Sequence, residues 1–171
     1  KSANVSGEGV VFDSDDLSSL KTGSMRVQVQ KLAQKDVWQS DLITGKNKTD
    51  TVDQGILNIA LGSGTSTPID TNGKTYSQLV TEINKISGVQ ASLVEDSAGN
   101  FRLSIKSTET GSANKINFTG SDTRALGHFG FDKEANNVLK AQDMKLKADG
   151  IDYSSSSNTV TIDGLKITAT K

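Results

Sequence analysis

Cysteine is absent from the 171 residues, which excludes disulfides, thiolate zinc sites and cysteine nucleophiles. A single histidine, His128, leaves no His-rich metal cluster. Charge of one sign is lacking too: 19 Lys+Arg face 20 Asp+Glu, a formal net charge of -1, so there is no broad electrostatic attraction to nucleic acid. No apolar run approaches the roughly 20 residues of a membrane span. Lys1-Ser2-Ala3-Asn4 also lacks the basic-then-apolar pattern of a secretory signal. Aromatic residues make up 5% and hydrophobic residues 33% of the chain, a thin supply for one large core. Serine and threonine are plentiful, 38 in all. That composition suits twisted β layers with solvated outer faces. The length admits one domain or two small ones, at about 150 residues per domain.

Alternation of apolar and polar residues marks short strands between turns. Met25, Val27 and Val29 alternate with Arg26, Gln28 and Gln30. Gly55 to Leu61 places Leu57, Ile59 and Leu61 on one face and Ile56 on the other. Val89 to Leu93, then Phe101, Leu103 and Ile105, flank the turn Ser97-Ala98-Gly99-Asn100 and predict a hairpin. Ile116 with Phe118 suggests a further strand. Met144, Leu146 and Ala148 alternate, as do Val160 and Ile162, then Leu165 and Ile167 after the tight turn Asp163-Gly164. Thr75-Tyr76-Ser77-Gln78 has the form of a capping box, opening a helix over 75–87 with Leu79, Ile83 and Ile86 as its apolar stripe and Gly88 as a left-handed stop. A shorter helical turn is expected at Ser121 to Leu126, with Ser121 or Asp122 as cap and Gly127 as stop. The fold class is therefore β-rich α+β, mainly antiparallel strands with one amphipathic helix.

Two polar, turn-prone stretches, Thr44 to Asp50 and Asp132 to Asn137, bracket a compact unit. The expected organisation is a discontinuous β-rich domain from 1–49 and 138–171, with a second β-rich domain of residues 50–137 inserted in it. The strand pattern of Thr159 to Thr170 runs almost to the last residue, so an excised fragment is expected. The missing signal then says little about where the parent protein works.

Each chemical motif has a plainer alternative. Gly62-Ser63-Gly64 lacks the Lys-Ser/Thr or third glycine of a phosphate loop and reads as a surface hairpin loop. Asp13-Ser14-Asp15-Asp16 lacks the central glycine and distal glutamate of a calcium loop and reads as a solvated turn; Asp15 with Ser18 or Ser19 could equally start a helical turn. His128, between two glycines and two phenylalanines, reads as part of a packed loop. Trp38 reads as a strand-end residue half covered by a sheet, with an exposed interface contact as the alternative. Asn4-Val5-Ser6, Asn47-Lys48-Thr49 and Asn117-Phe118-Thr119 match the glycosylation pattern at a frequency chance supplies in so Asn-, Ser- and Thr-rich a chain. Tyr153 to Asn158 is a polar loop of hydroxyls that could present hydrogen bonds to a partner, with plain solvation the preferred reading. No constellation is catalytic, no metal or cofactor site is expected, and the residues that touch a partner are not legible.

Three segments, in order, resemble the flagellar filament cap family, also called flagellar hook-associated protein 2. The first is Met25 to Gln34 with Val37 and Ser40, similar to the V-x-Q-L-A-Q strand that opens the family's head region, with Lys31 where Gln is common. The second resembles the flagellin IN motif: Leu57-Asn58-Ile59, the helix from Tyr76 to Asn84, Gly88 to Ser92, and Phe101 to Ile105 continuing through Gly111. Flagellins and hook-filament junction proteins carry that motif too. The third runs from Ala141 to Met144 through Asp149-Gly150-Ile151, Tyr153 and Ser156-Ser157-Asn158 to Ile162 to Thr168, with Met144 for the usual Ala and Lys166 for a common Thr. The lack of cysteine agrees with the Cys-poor character of exported axial proteins.

The resemblance implies a non-enzymatic structural and assembly role. In that family a ring-like homo-oligomer sits at the distal, extracellular tip of the bacterial flagellum, where flagellin folds beneath it, is inserted and is kept from leaking. The implied partners are flagellin, further copies of the full-length parent, and the parent's export chaperone. No heptad-patterned terminal helices are present, so the family's helical legs are missing and what remains resembles its two head domains; this fragment alone can be monomeric. Two other classes compete. One is a secreted adhesin domain whose polar loops bind host glycan or mucin. The other is a glycosidase, which needs two carboxyls about 5 to 9.5 Å apart, a pairing that no pattern among the acids marks.

Overall fold

The computed structural model describes residues 3–6, 9–14 and 23–170. These form two compact units. Unit 1 takes the described residues up to Gln34, Thr110–Ser112, and those from Ala141 onward; unit 2 takes Lys35–Glu109 and Ala113–Lys140. The fold is β-rich α+β, with mostly antiparallel pairing in both units. Unit 1 opens with β1 (Ala3–Ser6), β2 (Val10–Ser14) and β3 (Gly23–Lys31). The expected helical turn at Asp15 to Ser19 lies outside the described residues.

Unit 2 runs β4 (Val37–Gln39), β5 (Ile56–Leu61), β6 (Thr67–Asp70), α1 (Tyr76–Ile83), β7 (Val89–Glu95), β8 (Phe101–Ser107), β9 (Ile116–Asn117), α2 (Thr123–Phe129) and β10 (Asn137–Leu139). One sheet has the order β10-β4-β8-β7 and another the order β6-β5-β9. Residues 35–49 and 138–140, expected in the outer domain, pair inside unit 2. Trp38 faces Ile105 across the β4–β8 ladder, and Asn137 faces Trp38 across the β10–β4 ladder. The period-2 pattern is realised as burial: Leu57, Ile59, Leu103 and Ile105 are each 0% exposed, whereas Ile56 is 38% exposed. The β7–β8 hairpin forms with Gly99 at φ 83°. Its five-residue connection is tied by the Asp96 carboxylate, which accepts from the N–H groups of Ala98 and Asn100.

The α1 capping box is complete. Thr75 Oγ1 accepts from the Gln78 N–H at 3.1 Å, and Gln78 Oε1 accepts from the Thr75 N–H at 2.9 Å. Tyr76, Leu79 and Ile83 turn into the core of unit 2. The helix ends at Ile83, four residues short of the expected end at 87. Asn84 is the reason: its side chain donates to the Ala91 carbonyl at 3.1 Å and accepts from the Ala91 N–H at 2.7 Å. That bond pair draws the chain out of the helix and onto β7. Gly88, at φ 83°, turns the chain into β7 instead of capping α1. In α2 the cap is Asp122, and the left-handed stop is Gly130 at φ 72°, with Gly127 inside the helix. Gly130 is fixed there by Asp41: the Asp41 N–H donates to the Phe129 carbonyl at 2.8 Å, and a Cβ at position 130 would meet the Asp41 carboxylate at 2.5 Å.

The chain returns to unit 1 with β11 (Met144–Ala148), β12 (Ile151–Ser155), β13 (Thr159–Ile162) and β14 (Leu165–Ala169). One sheet has the order β1-β3-β11-β12, with β1 parallel to β3 and the other pairs antiparallel; a second has the order β13-β14-β2. The N-terminal strand β3 thus pairs with the C-terminal strand β11. Asp149-Gly150 (φ 51° and 78°) and Asp163-Gly164 (φ 51° and 79°) close the two hairpins. Positive φ at both central residues matches the right-handed twist of the flanking strands. Met144, Leu146 and Ile167, each 0% exposed, are central to this unit's core. Asp13 and Ser14, expected in a turn, belong to β2 and pair with Lys166 and Leu165.

Candidate functional site

Several aspartates anchor backbone. Asp122 accepts from the Ile56 N–H, Asp149 from Arg26, Asp143 from Ser112, Asp53 from Gly73, and Asp50 from Asn47, at 2.7 to 2.9 Å. Each holds a turn or a strand end. Among the described residues no three His, Asp or Glu side chains come together in a group that could hold a metal ion. No helix among them is long and apolar enough to cross a membrane.

Asp36 is the most buried of these anchors, with 0% exposure. Its carboxylate accepts from the Ile116 N–H at 2.8 Å, from Trp38 Nε1 at 3.2 Å and from Asn137 Nδ2 at 3.2 Å. Its own N–H donates to Ser107 Oγ at 2.9 Å. The side chain therefore ties β4, β9 and β10, and the backbone N–H of the same residue adds β8. Asp36 went unrecognised in the sequence because a lone acid beside a strand carries no periodic signal. An acid two residues before the single Trp is the only hint.

His128 lies in the last turn of α2, not in a loop. Its Nε2 pairs with the Tyr76 hydroxyl at 2.8 Å, and the rings stack at 6.1 Å. Burial, and after it the positive charge of Lys46, lowers the His128 pKa from its ordinary 6.5. Burial, with the Asp50 charge, raises that of Tyr76. No serine, threonine or carboxylate hydrogen-bonds to His128 among the described residues. Within unit 2 the pair joins α1 to α2.

Trp38 is buried, 6% exposed. Its ring meets Phe118 edge-on at 5.3 Å and Phe131 at 6.1 Å, while Phe118 and Phe131 stack at 4.4 Å. This aromatic trio floors an apolar cleft of about 280 Å³ that Leu126 and Lys115 also line. A second, more polar cleft of about 430 Å³ lies beside α1, lined by Pro68, Lys74, Glu82 and Lys85 among others. Its cations are engaged: Lys85 pairs with Glu82 at 2.9 Å, and Lys74 donates to the Asp70 carbonyl at 2.7 Å.

The remaining sequence motifs take structural places. Gly62-Ser63-Gly64 forms the β5–β6 connection, and the Gly62 N–H donates to the Lys115 carbonyl at 2.6 Å. Of the glycosylation patterns, Asn4 lies in β1, Asn47 sits exposed in a turn, and Asn117 donates from Nδ2 to the Gly62 carbonyl at 2.7 Å. The run from Tyr153 to Asn158 is not a merely solvated loop. Its first half is β12, Ser156 accepts from Thr110 Oγ1 at 2.6 Å, and Asn158 Oδ1 accepts from the Ala33 N–H at 2.6 Å. Large apolar side chains left exposed include Val138 at 53% and Ile151 at 58%, both on strands that end their sheets.

Two β-rich units, with the capped helix and hairpin in the second and the Asp-Gly hairpins in the first, form a fold shared with the D2–D3 domains of flagellar cap proteins. The particular structures that share it include the D2–D3 domains of the cap protein FliD from Escherichia coli (TM-score 0.78, 20% identity, 96% of this chain and 88% of that one). The corresponding domains from Serratia marcescens align with a TM-score of 0.72 at 20% identity, over 96% and 94% of the two chains. FliD (HAP2) from Pseudomonas aeruginosa aligns at 0.69 and 22%, over 95% and 78%. At such identities the likeness is one of fold. No protein-family model matches the chain, and no curated protein does.

Proposed function

We propose that this chain is the head portion of a flagellar filament cap, a non-enzymatic structural and assembly module. Units 1 and 2 correspond on this reading to the two head domains, the second inserted in the first. The full-length parent works outside the cell at the filament tip, as a ring-like homo-oligomer that promotes flagellin folding and insertion and prevents flagellin leakage. Its partners on this reading are flagellin, further copies of itself and an export chaperone. What carries the reading is one coincidence. The fold of nearly the whole chain matches cap head domains, and the three family-like segments occur in the same order along it. The use of the carboxylates as backbone anchors agrees with a scaffold role.

Deletion of the gene for the full-length parent tests it. The expected result is short or absent filaments with monomeric flagellin accumulating in the medium, restored by the intact gene. Normal filaments without leakage would overturn the proposal.

A further inference from the structure

The cleft over Trp38, Phe118 and Phe131 lies wholly within unit 2 and has no part in the assembly reading above. At about 280 Å³ it is smaller than the roughly 300–1,000 Å³ of small-molecule sites. It is nonetheless about twice the cavity of roughly 150 Å³ that accommodates benzene in an engineered protein core. One large side chain with its adjoining backbone is the guest that fits. The floor is rigid: Phe118 and Phe131 are 6% and 4% exposed and stacked, with Trp38 locked edge-on and its indole N–H donated to Asp36. Polar groups are scarce in it, so an apolar guest displaces water without orphaning a donor.

Charge selects among apolar guests. Lys115 lines the mouth, is exposed, and makes no ion pair within 4 Å among the described residues. Glu134 feels its charge but is held at 2.5 Å by Lys140. An aromatic floor of this kind can also attract cations, and Lys115 disfavours them. We infer that this cleft is a docking site for an acidic-aromatic peptide segment, with the aromatic ring seated on the Trp38–Phe118–Phe131 floor and a flanking carboxylate paired to Lys115.

Trp38 is the single tryptophan of the chain, so its emission reports occupancy directly. The probe is the peptide Ac-Gly-Asp-Phe-Asp-Gly-amide, titrated into the whole chain. One inserted side chain must first offset the entropy lost on association, so the dissociation constant is expected at about the millimolar level. The lysine analogue, Ac-Gly-Lys-Phe-Lys-Gly-amide, is expected to bind about fivefold more weakly, the scale of one exposed ion pair. Lys115→Glu is expected to reverse that preference. The Phe-to-Ala peptide is expected not to bind. A saturable change in Trp38 emission with this charge reversal supports the site. No saturable change up to about 20 mM peptide, equal binding of the acidic and basic peptides, or equal binding of the alanine peptide overturns it. None of these results bears on filament assembly, so the two proposals fail independently.

Discussion

Replacing Asp36 by alanine removes the acceptor of three donors: the Ile116 N–H at 2.8 Å, and Trp38 Nε1 and Asn137 Nδ2 at 3.2 Å each. A buried donor left without a partner costs about 1–3 kcal/mol, which sets a ceiling of about 9 kcal/mol for three. The loss is smaller in practice, because the buried charge and its desolvation cost disappear with the side chain. An expected destabilisation of about 3–5 kcal/mol remains, a large share of the roughly 5–15 kcal/mol that holds a domain together. Asp36→Asn keeps one acceptor oxygen but turns an NH₂ toward at least one donor, so its cost is expected at about 1–3 kcal/mol. Urea unfolding followed by Trp38 emission separates the cases, since the only tryptophan lies in unit 2 and reads that unit alone. The midpoint is the readout, because losing Asp36 also alters the emission amplitude. A shift below about 1 kcal/mol for Asp36→Ala, or an Asp36→Asn variant no better than alanine, would refute the hub.

Three further expectations concern unit 2. Ile83→Asp, at a fully buried position of α1, places an unpaired carboxylate in the core at a cost of several kcal/mol; circular dichroism should show lost cooperative melting, and a wild-type melting temperature would contradict the helix placement. Thr75→Ala removes the hydroxyl half of the capping box, leaving the Gln78 N–H without its acceptor while the backbone N–H at 75 still reaches Gln78 Oε1, and should cost about 1 kcal/mol, readable as a lower urea midpoint; no change would mean the box is ornamental. The His128 pKa is lowered in the fold, so the unfolded chain takes up the proton first; the stability that neutral His128 contributes is present above pH 6.5 and lost as pH falls below it. Melting followed at Trp38 should therefore weaken between pH 7.5 and pH 5.5, before carboxylates with ordinary values of 3.8 and 4.5 titrate, and His128→Gln should flatten that slope.

Local rules carried much of the fold. The capping box at Thr75, the alternation in β5, β8 and β11, and the Asp163-Gly164 turn are all decided by residues within a few positions of one another, and all form. What was illegible depended on distant partners. Helix α1 stops at Ile83 because Asn84 bonds to Ala91, and α2 runs on to Gly130 because Asp41 receives its end. Strands β6, β10 and β12 lack alternation and exist because a neighbour offers a ladder. Of the site features, His128 and Trp38 drew notice by residue type. Asp36, Lys115 and the aromatic trio could not be assembled, because Trp38, Phe118 and Phe131 are brought together only by the closed fold.

The small segment Thr110–Ser112 belongs to unit 1 although the chain on both sides of it belongs to unit 2. There Gly111 donates its N–H to the Gln34 carbonyl, Thr110 binds Ser156, and Ser112 binds Asp143. The polypeptide therefore changes units near residues 34, 109, 112 and 140, like a thread caught once more in mid-seam. A gene trimmed to the outer segments alone would lose that stitch and strip three polar partners from what remained. Anyone exchanging unit 2 between relatives should transplant everything except this tripeptide, which must match the recipient.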